Sequence, residues 1–545
     1  MRLIPVLILA ATAAAQTPSR EQILQAMKKS AGFFVDKVST GGGYHYYYAE
    51  DLSYGRSEHG EGPTQIETQR EATPRVAMAY LEAYDATGDS LFLDAARKAA
   101  MALVEGQLCS GGWDYIVEFD PAKRAALPYR SGRDCAAPGV PQKPPTTLDD
   151  NVTQACARVL MRVDKALNFQ DARIHEASLF ALDRLVAVQY PNGAWPQRFN
   201  QPPDAAAHPV KTASYPGSWS RKWPGENYYG HYTFNDNSIV DCIDMMLEAA
   251  RIYSSAKYRE SAEKGGGFIL LAQMPAPQPA WAQQYDLEMR PAWARVFEPP
   301  SITGGESQGI MKMLMLLYRE TGRRKYLDAV GPALSYLEKS VLPPVSNPSE
   351  IRRRVKEPAI ARFHELKTNK ALYVTKGIML QAKGLGSIRP DGYEITYSDE
   401  SVITHYGVLV SAAGLPAIRK EYDAWAAAPK AAQRPEKLHG LSPWSSESAP
   451  RPRRSGGGSV AELVSSMDAR GAWTEEGVIG KADRLVSLFA PRAMVLTING
   501  KPVDIKENDR VEIFEGSQPP RQRIVRSETF AKNLEALAAA VARGR

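Results

Sequence analysis

The sequence is poor in cysteine and in long apolar stretches. Only four of its 545 residues are cysteine, and no cysteine spacing matches a zinc site. After the first 15 residues, no segment approaches the roughly 20 consecutive apolar residues that a membrane-spanning helix needs. No strongly basic helix and no RNA-binding signature accompanies the net charge of +6. We therefore expect no structural zinc, no membrane span and no nucleic-acid partner, while the mild positive charge favours another anionic partner.

The first residues have the composition of a secretion signal. A positive Arg2 precedes an apolar core at residues 3–14, and three alanines at 13–15 form a small-residue cleavage site. The apolar core is too short to cross a bilayer. We expect removal of residues 1–15 and a secreted or periplasmic protein; an uncleaved membrane anchor is the alternative.

The four cysteines fall into two kinds of surroundings. Cys109 and Cys135 flank one loop-rich segment, and in an oxidising compartment they are the expected disulfide pair. Cys156 and Cys242 lie within apolar helical patterns, so we expect both to be buried thiols.

Apolar residues recur at helical spacing over most of the chain. The segments come in pairs of predicted helices, each joined by a short turn that often carries Gly, Asn or Asp. The predicted pairs are 77–87 with 90–107, 152–167 with 171–188, 238–253 with 258–273, and 309–320 with 326–340. Further helices are predicted at 460–467 and 528–542, and a strand with an Asn-Gly turn at 493–500.

A Gln-x3-Gly-x-Trp motif closes the first two pairs, at residues 107–113 and 189–195. A looser copy spans 273–281 and a late one 471–473. The tryptophans of the first three copies lie 82 and 86 residues apart. A repeat of this length predicts helical hairpins that share one core. We interpret the glycine as a tight exit from the helix and the tryptophan as filling the gap between neighbouring pairs. Stacking of these tryptophans on a sugar is the alternative.

The expected fold is therefore all-α, an (α/α) toroid of repeated helix pairs, complete or incomplete, with a small β-containing C-terminal segment. Residues 16–424 are predicted to form the toroid, and residues 459–545 to complete or cap it. Residues 425–458 are rich in Ala, Pro, Ser and Gly, which is typical of a linker or surface loop. We expect a monomer.

Acidic and amide residues cluster at three predicted helix starts, 149–151, 235–237 and 306–307. For Asp149 and Asp150 we favour helix capping, because a single Asp satisfies free backbone N–H groups at a helix start. Asp236 follows a loop crowded with tryptophan, tyrosine and histidine, which is typical of a sugar cleft. We therefore predict a functional role for Asp236.

Carboxylates and arginines in the following loops suit an acidic, oxygen-rich substrate. Asp286 and Glu298 are candidate calcium ligands, because calcium takes six to eight oxygen ligands, although either is also able to pair with Arg295. In a uronate, removal of the C5 proton builds negative charge beside a carboxylate, and nearby cations stabilise that charge. Arg362 is the candidate base; an arginine base needs a strong positive potential around it, because arginine normally stays protonated.

The chain resembles polysaccharide lyase family 10, the pectate lyases also called pectic acid lyases. The resemblance lies in short motifs at residues 192–197, 231–237, 281–286, 291–300 and 361–363, in the family's order. It implies an α/α toroid and calcium-assisted β-elimination of polygalacturonate.

By the same resemblance, Arg362 takes the C5 proton and Asp236 binds Ca²⁺ or substrate, with Asp286 and Glu298 as co-ligands. Substrate contacts are expected from Arg295, Lys370, His231 and Asn235. The chain departs from the family at His364, where the family has tyrosine, and at Lys370, where it has arginine. Lysine keeps the charge but loses the bidentate fork.

Two other functions remain open from the sequence. A toroid glycoside hydrolase uses two carboxylates and water, and Asp149 or Asp150 with Asp236 is the available pair. A non-catalytic glycan-binding protein is the second alternative.

Overall fold

The computed structural model describes residues 18–225, 228–375, 380–382, 386–390, 393–400, 402–403, 406–428, 459–479, 484–489, 494–498, 501–505, 510–515 and 521–543. The predicted signal segment 1–15, most of the predicted linker 425–458 and the predicted turn at 499–500 lie outside the described residues.

Most residues in regular elements lie in helices, and local sequence signals mark several helix ends. The first predicted pair shows this: Gly88, at φ 72°, ends one helix, and the side chain of Asp89 accepts from the N–H of Leu91 to begin the next. The helices are α1 Arg20–Phe33, α2 Thr73–Thr87, α3 Ser90–Gly106, α4 Pro121–Arg124, α5 Val152–Ala166, α6 Ala172–Ala187, α7 Ser238–Ile252, α8 Ala256–Ala272, α9 Glu306–Thr321, α10 Arg324–Lys339, α11 Glu350–Arg353, α12 Leu415–Ala427, α13 Val460–Ser465 and α14 Ser527–Arg543.

The long helices pack as pairs in two concentric layers. Four pairs are hairpins, α2 with α3, α5 with α6, α7 with α8, and α9 with α10, and the fifth pair brings α1 against α14 from the other end of the chain. Inner helices contact one another in the order α14, α2, α5, α7, α9, and outer helices in the order α1, α3, α6, α8, α10, with α12 packed on α9 and α10. This arrangement is the predicted (α/α) toroid, and one apolar core runs through it.

The Gln-x3-Gly-x-Trp motif joins each hairpin to the next. The Nε2 of Gln107, at the end of α3, donates to the carbonyl of Gly111 at 3.0 Å and to that of Ala177 in α6 at 2.9 Å. Gln189 and Gln273 make the same pair of hydrogen bonds, reaching the carbonyls of Ser261 in α8 and Ala329 in α10. Each glutamine therefore satisfies a turn and ties neighbouring outer helices together.

The motif tryptophans are packing residues. Each indole N–H donates to a carbonyl of the preceding helix, at 2.8–2.9 Å for Trp113, Trp195, Trp281 and Trp473. Their exposed fractions are 0%, 1%, 0% and 5%. A ring so enclosed offers no face to a ligand, so the sugar-stacking interpretation was wrong and the packing interpretation is confirmed.

Short strands line the ends of the helices. Their bounds are β1 Tyr47–Ala49, β2 Gly55–Arg56, β3 Gln65–Glu67, β4 Ile116–Glu118, β5 Thr146–Thr147, β6 Arg198–Phe199, β7 Tyr232–Thr233, β8 Gln284–Tyr285, β9 Ile302–Thr303, β10 Ala359–Ala361, β11 Phe363–His364, β12 Ala371–Val374, β13 Leu380–Ala382, β14 Gly386–Pro390, β15 Ile395–Thr396, β16 Leu409–Ser411, β17 Thr474–Gly477, β18 Arg484–Phe489, β19 Met494–Ile498, β20 Lys501–Ile505, β21 Arg510–Glu515 and β22 Gln522–Arg526.

Two of the sheets position the site. The sheet β17-β22-β1-β2 joins both ends of the chain, with Tyr47 opposite Arg526 in an antiparallel register. The sheet β15-β12-β11-β9 and the neighbouring ladder β10-β16 cover the N-terminal end of α9. Small antiparallel ladders β5-β6 and β7-β8 precede α5 and α7.

The cysteine predictions are confirmed. Cys109 and Cys135 form a disulfide, and Cys156 and Cys242 are buried free thiols. Among the described residues, no helix combines the length and apolar character required to cross a bilayer.

Candidate active site

Two turns of the same sequence pattern lie side by side at the centre of the toroid. Residues 147–151 (Thr-Leu-Asp-Asp-Asn) lead into α5 and residues 233–237 (Thr-Phe-Asn-Asp-Asn) lead into α7. In each, the threonine Oγ1 accepts from the backbone N–H two residues later, at 3.2 Å in the first turn and 3.0 Å in the second. The two turns therefore start from the same local hydrogen bond.

Two consecutive residues in each turn have a left-handed backbone. The φ angles are 50° and 59° at Asp150 and Asn151, and 49° and 59° at Asp236 and Asn237. Asp and Asn tolerate this conformation better than other non-glycine residues. Neither α5 nor α7 has a side-chain hydrogen bond capping its N-terminus. The capping interpretation of Asp149 and Asp150 was therefore wrong, because the turn directs these carboxylates elsewhere.

The turns bring three carboxylates together. Asp149, Asp150 and Asp236 each offer an oxygen, and these oxygens lie within 4.8 Å of one another. Burial raises the pKa of Asp236 to about 6; Arg362 opposes that shift, and the other two aspartates add to it. Burial, Asp149 and Glu58 likewise raise the pKa of Asp150. Like charges this close repel one another, and a bound cation relieves the repulsion.

The cluster fits a hard cation. Carboxylate oxygens are the ligands that calcium takes. One oxygen of Asp149 accepts from the hydroxyl of Tyr115 at 3.2 Å. The other, Oδ1, is buried and accepts no hydrogen bond from the described residues. A buried carboxylate oxygen without a donor is unusual in a folded protein, and a metal ion is one partner that satisfies it.

Asn235 connects the carboxylate cluster to Arg362. Its Nδ2 donates to Oδ2 of Asp236 at 2.6 Å, and its Oδ1 accepts from Nη2 of Arg362 at 3.1 Å and from Nε2 of Gln283 at 3.0 Å. The residue is buried, at 5% exposed. Predicted as a substrate contact, Asn235 lies behind the site and holds two of its members together.

Arg362 lies where two strand ladders diverge. Its N–H donates to the carbonyl of Val408 at 3.0 Å, and its own carbonyl accepts from Gly304 at 2.9 Å. A Cβ at Gly304 would come within 2.3 Å of the carbonyl oxygen of Ala361, so only glycine permits this approach. The backbone on both sides therefore fixes the point from which the arginine side chain extends.

The guanidinium of Arg362 is enclosed by an acid and an aromatic ring. It forms an ion pair with Glu306 at the start of α9 and lies 4.4 Å from the ring centre of Tyr406. Burial by itself lowers the pKa of Arg362, but Glu306, Tyr406 and Asp236 together outweigh burial, so the pKa lies above its ordinary value. In the structure described, this arginine is a protonated cation.

Arg295 also lies against the ring of Tyr406. Its guanidinium lies 5.0 Å from the ring centre of Tyr406 and 4.9 Å from that of Phe297. Its Nε and Nη2 donate to the two oxygens of Glu298 at 2.7 and 2.8 Å. The Arg295 side chain is still 40% exposed, so it retains a face that a ligand reaches.

Two of the predicted metal ligands, Asp286 and Glu298, lie outside the carboxylate cluster. Glu298 is 3% exposed and accepts from Arg295, from Gln283 at 2.7 Å and from the hydroxyl of Tyr406, so donors occupy its oxygens. Asp286 closes a turn by accepting from backbone N–H groups and pairs with Arg290 at 3.0 Å. Neither belongs to the carboxylate cluster found among the described residues, where Asp149 and Asp150 accompany Asp236 instead.

The remaining predicted substrate contacts lie around this centre. His231 Nδ1 is 3.0 Å from Nε2 of Gln284. Gln284 belongs to β8 and lies opposite Thr233 of β7. The ammonium group of Lys370 lies 5.0 Å from the ring centre of Tyr397. The guanidinium of Arg221 lies 4.7 Å from the centre of the same ring. Lys370 is therefore part of an exposed cationic and aromatic surface.

Sequence reasoning missed several residues that line the central cleft. This cavity has a volume of about 620 Å³ and contains Asp150 and Asp236. Its other walls include Tyr46, Tyr47, Arg70, Lys312 and Arg526. No local motif marks these residues, because they come from four separate elements. The aspartate pair did carry a signal: Asp150 and Asp236 lie 86 residues apart, the same spacing as Trp195 and Trp281.

Comparisons with known proteins bear on the same residues. The profile of a family described as pectic acid lyase matches residues 130–402, which include both aspartate turns and Arg362. A search of curated proteins gave no match.

Solved structures give more distant likenesses. One similar structure is a mutant of a family 10 polysaccharide lyase from Cellvibrio cellulosa in complex with trigalacturonic acid, at 20% identity and a TM-score of 0.36, covering 55% of this chain and 86% of that one. Another is an α-1,6-mannanase from Salegentibacter sp., at 11% identity, a TM-score of 0.33, and coverage of 61% and 72%. A third is cellobiose 2-epimerase from Spirochaeta thermophila, at 14% identity, a TM-score of 0.36, and coverage of 59% and 71%.

Proposed function

We propose that this chain, which belongs to the pectic acid lyase family and is a polysaccharide lyase, is a secreted, calcium-dependent enzyme. It cleaves polygalacturonate by β-elimination. Arg362 is the proposed base. Asp149, Asp150 and Asp236 are the proposed calcium ligands, and Arg295 and Lys370 the proposed contacts to substrate carboxylates. His231 is a proposed substrate contact, and Asn235 a proposed positioning residue.

One observation carries the proposal: the amide of Asn235 hydrogen-bonds both to a carboxylate of the aspartate cluster and to the guanidinium of Arg362. The side chain of Asn235 thereby holds a cation site and a candidate base next to each other. Elimination from a uronate needs this pairing, because the carboxylate that binds the cation is attached to the carbon that loses its proton.

The reaction then proceeds from the residues as placed. Neutral Arg362 takes the proton from C5, and the released electron pair forms the C4–C5 double bond. The C4–O bond breaks, and the departing sugar oxygen takes a proton from solvent. Asp149, Asp150 and Asp236 would hold calcium, which would supply positive charge to stabilise the negative charge on the substrate carboxylate. Arg295, with its exposed face, is suited to a carboxylate beside the reacting sugar.

The ion pair with Glu306 sets the pH at which Arg362 acts. Because its pKa is raised, only a small fraction is neutral near pH 7. That fraction grows about tenfold for each pH unit below the pKa. We therefore expect turnover to rise with pH through the alkaline range until the protein unfolds.

The direct test is product analysis of pure protein incubated with polygalacturonate. We expect products that absorb in the ultraviolet because of the new C4–C5 double bond, and loss of activity with a calcium chelator that is reversed by added calcium. Saturated products that form regardless of chelator would point to hydrolysis by a carboxylate pair instead. Binding of pectic polymers without any product would identify a glycan-binding protein.

A further inference from the structure

The central cleft extends beyond the residues that the proposed reaction uses. Arg362 does not line it, whereas Tyr46, Tyr47, Arg70 and Arg526 do. These four residues lie outside the region that matches the family profile. At about 620 Å³ the cleft is within the range of ~300–1,000 Å³ typical of small-ligand sites. Part of the cleft is thus available for binding away from the proposed base.

Three cations line this cleft, and two of them are already neutralised. Arg70 donates from Nε to Glu71 at 2.8 Å. Arg526 pairs with Glu475 at 2.9 Å and with Glu528 at 3.5 Å. Lys312 is exposed and has no ion pair or hydrogen bond with any residue that the structure describes. Of the three, Lys312 is therefore the cation that is able to accept an anionic ligand without breaking an existing pair.

The packing of α9 directs Lys312 toward the aspartate turns. Gly309 and Lys312 are three residues apart and so are neighbours on one face of the helix, and both line the cleft. Glu306 holds Arg362, and a Cβ at Gly309 would lie 2.7 Å from Oδ1 of Asn237. The absence of a side chain at Gly309 lets α9 approach the second aspartate turn, and the next residue on that face enters the cleft.

We propose that Lys312 binds the carboxylate of a further uronate residue of the substrate, in a subsite within the cleft that Arg362 does not line. This inference rests on the proposed function and adds to it a requirement for a second carboxylate. The cleft is also lined by several acids, including Glu58, Glu71 and Asp241. An acidic sugar enters such a surface only where a cation receives its charge, and an unpaired ammonium group supplies that charge.

The test compares Lys312→Gln with Lys312→Arg and with Lys420→Gln. Lys420 lies on α12, is also exposed, and does not line the cleft. We expect Lys312→Gln to raise the KM for polygalacturonate about tenfold with kcat little changed, because it removes a contact made before and during the reaction. Lys312→Arg should restore most of the affinity, and Lys420→Gln should behave as the unaltered protein.

Calorimetric titration with trigalacturonate separates this inference from the proposed function. Weaker binding of trigalacturonate by Lys312→Gln, with normal binding by Lys420→Gln, supports the subsite even if the protein does not cleave the ligand. Equal KM and equal affinity in Lys312→Gln and Lys420→Gln would overturn it. A failure of the unaltered protein to bind trigalacturonate at all would overturn both the subsite and the proposed function.

Discussion

The two aspartate turns have the same backbone and different duties. Both begin with a threonine that accepts from the residue two positions on, and both contain two left-handed residues before a helix of 15 residues. They differ in polar character at one position, where the first has Asp149 and the second has Asn235. One buried oxygen of Asp149 accepts from no donor in the part of the chain that the structure describes, whereas both amide atoms of Asn235 are hydrogen-bonded.

This difference gives one turn an extra negative charge and the other a hydrogen-bonded link to Arg362. A carboxylate at the first turn adds negative charge to the cation site, because no cation among the described residues pairs with it at ion-pair distance. An amide at the second turn adds no charge, but it donates to Asp236 and accepts from Arg362 at once. A carboxylate there could not donate to Asp236 when ionised. The repeated turn is thus adapted for a ligand at one position and for a link to the base at the other.

The strongest way to break the comparison is to remove the arginine that only the second turn contacts. Arg362→Ala should lower kcat by about 10²–10⁴-fold, the contribution typical of a positioned acid or base, while calcium binding measured by calorimetry changes little. Retained activity would show that the link through Asn235 has no role in the chemistry.

Stability complicates this variant, because Glu306 is 6% exposed and would be left as an unpaired buried charge. The matched control is Arg362→Ala combined with Glu306→Gln, which removes that charge. We expect the double variant to regain thermal stability and to stay inactive. Recovery of activity together with stability would mean that Arg362 only supports the fold.

Neutralising one carboxylate in each turn tests whether the two turns share one cation. Asp149→Asn and Asp236→Asn should each weaken calcium binding by at least about 10–100-fold, which is the loss typical when a group that merely supports a metal ligand is removed. Activity should return at high calcium concentration more readily for Asp149→Asn, because that variant leaves the contact between Asn235 and Asp236 intact.

Asp89→Asn is the control for the same chemical change away from the cleft, since Asp89 caps α3 on the outer layer. It should leave calcium affinity unaltered. If Asp149→Asn also binds calcium normally, the first turn is not part of the cation site.

The helical repeat could be predicted from the sequence because its physical causes are local. Apolar spacing and the Gln-x3-Gly-x-Trp motif placed the hairpins to within a few residues. The start of α2 was missed by four residues because Pro74 lies in its first turn, where a helix tolerates proline. The start of α9 was missed by three residues, since Glu306 is a polar residue ahead of the apolar pattern.

The site was predicted less completely because its causes are not local. Asp149 looked like a cap because residue type does not reveal φ, and two left-handed residues in a row are seen only in three dimensions. The sequence allows Glu298 to bind a metal ion or to pair with Arg295, three residues earlier. In the structure the buried Glu298 carboxylate pairs with Arg295. Tyr406, whose ring both arginines approach, and Lys312 belong to no motif that a single sequence shows.

Making the second turn identical in charge to the first sharpens the comparison further. Asn235→Asp places a carboxylate beside Arg362 and should raise the arginine pKa, so fewer molecules hold it neutral. At fixed pH, kcat should fall about tenfold for each unit of that rise, and the rate profile should move to higher pH. Asn235→Ala, which adds no charge, is the control and should leave the position of the profile in place. An unshifted profile in Asn235→Asp would argue against Arg362 as the base.

The smallest expected effects come from the two threonines that begin the turns. Thr147 and Thr233 are buried, at 0% and 3% exposed, and each satisfies one backbone N–H of its turn. Thr147→Val and Thr233→Val should each lower the free energy of unfolding by about 1–3 kcal/mol in denaturant titrations, the cost of an unsatisfied buried donor. If the backbones are equivalent, the two losses of unfolding free energy will match.

The functional effects of the two variants should still differ. Thr147→Val should mainly weaken calcium binding, whereas Thr233→Val should also lower kcat, because only its turn holds Arg362. Equal effects on kcat and on calcium binding would mean that the turns act as one unit and that the exchange of Asp149 for Asn235 has no functional meaning.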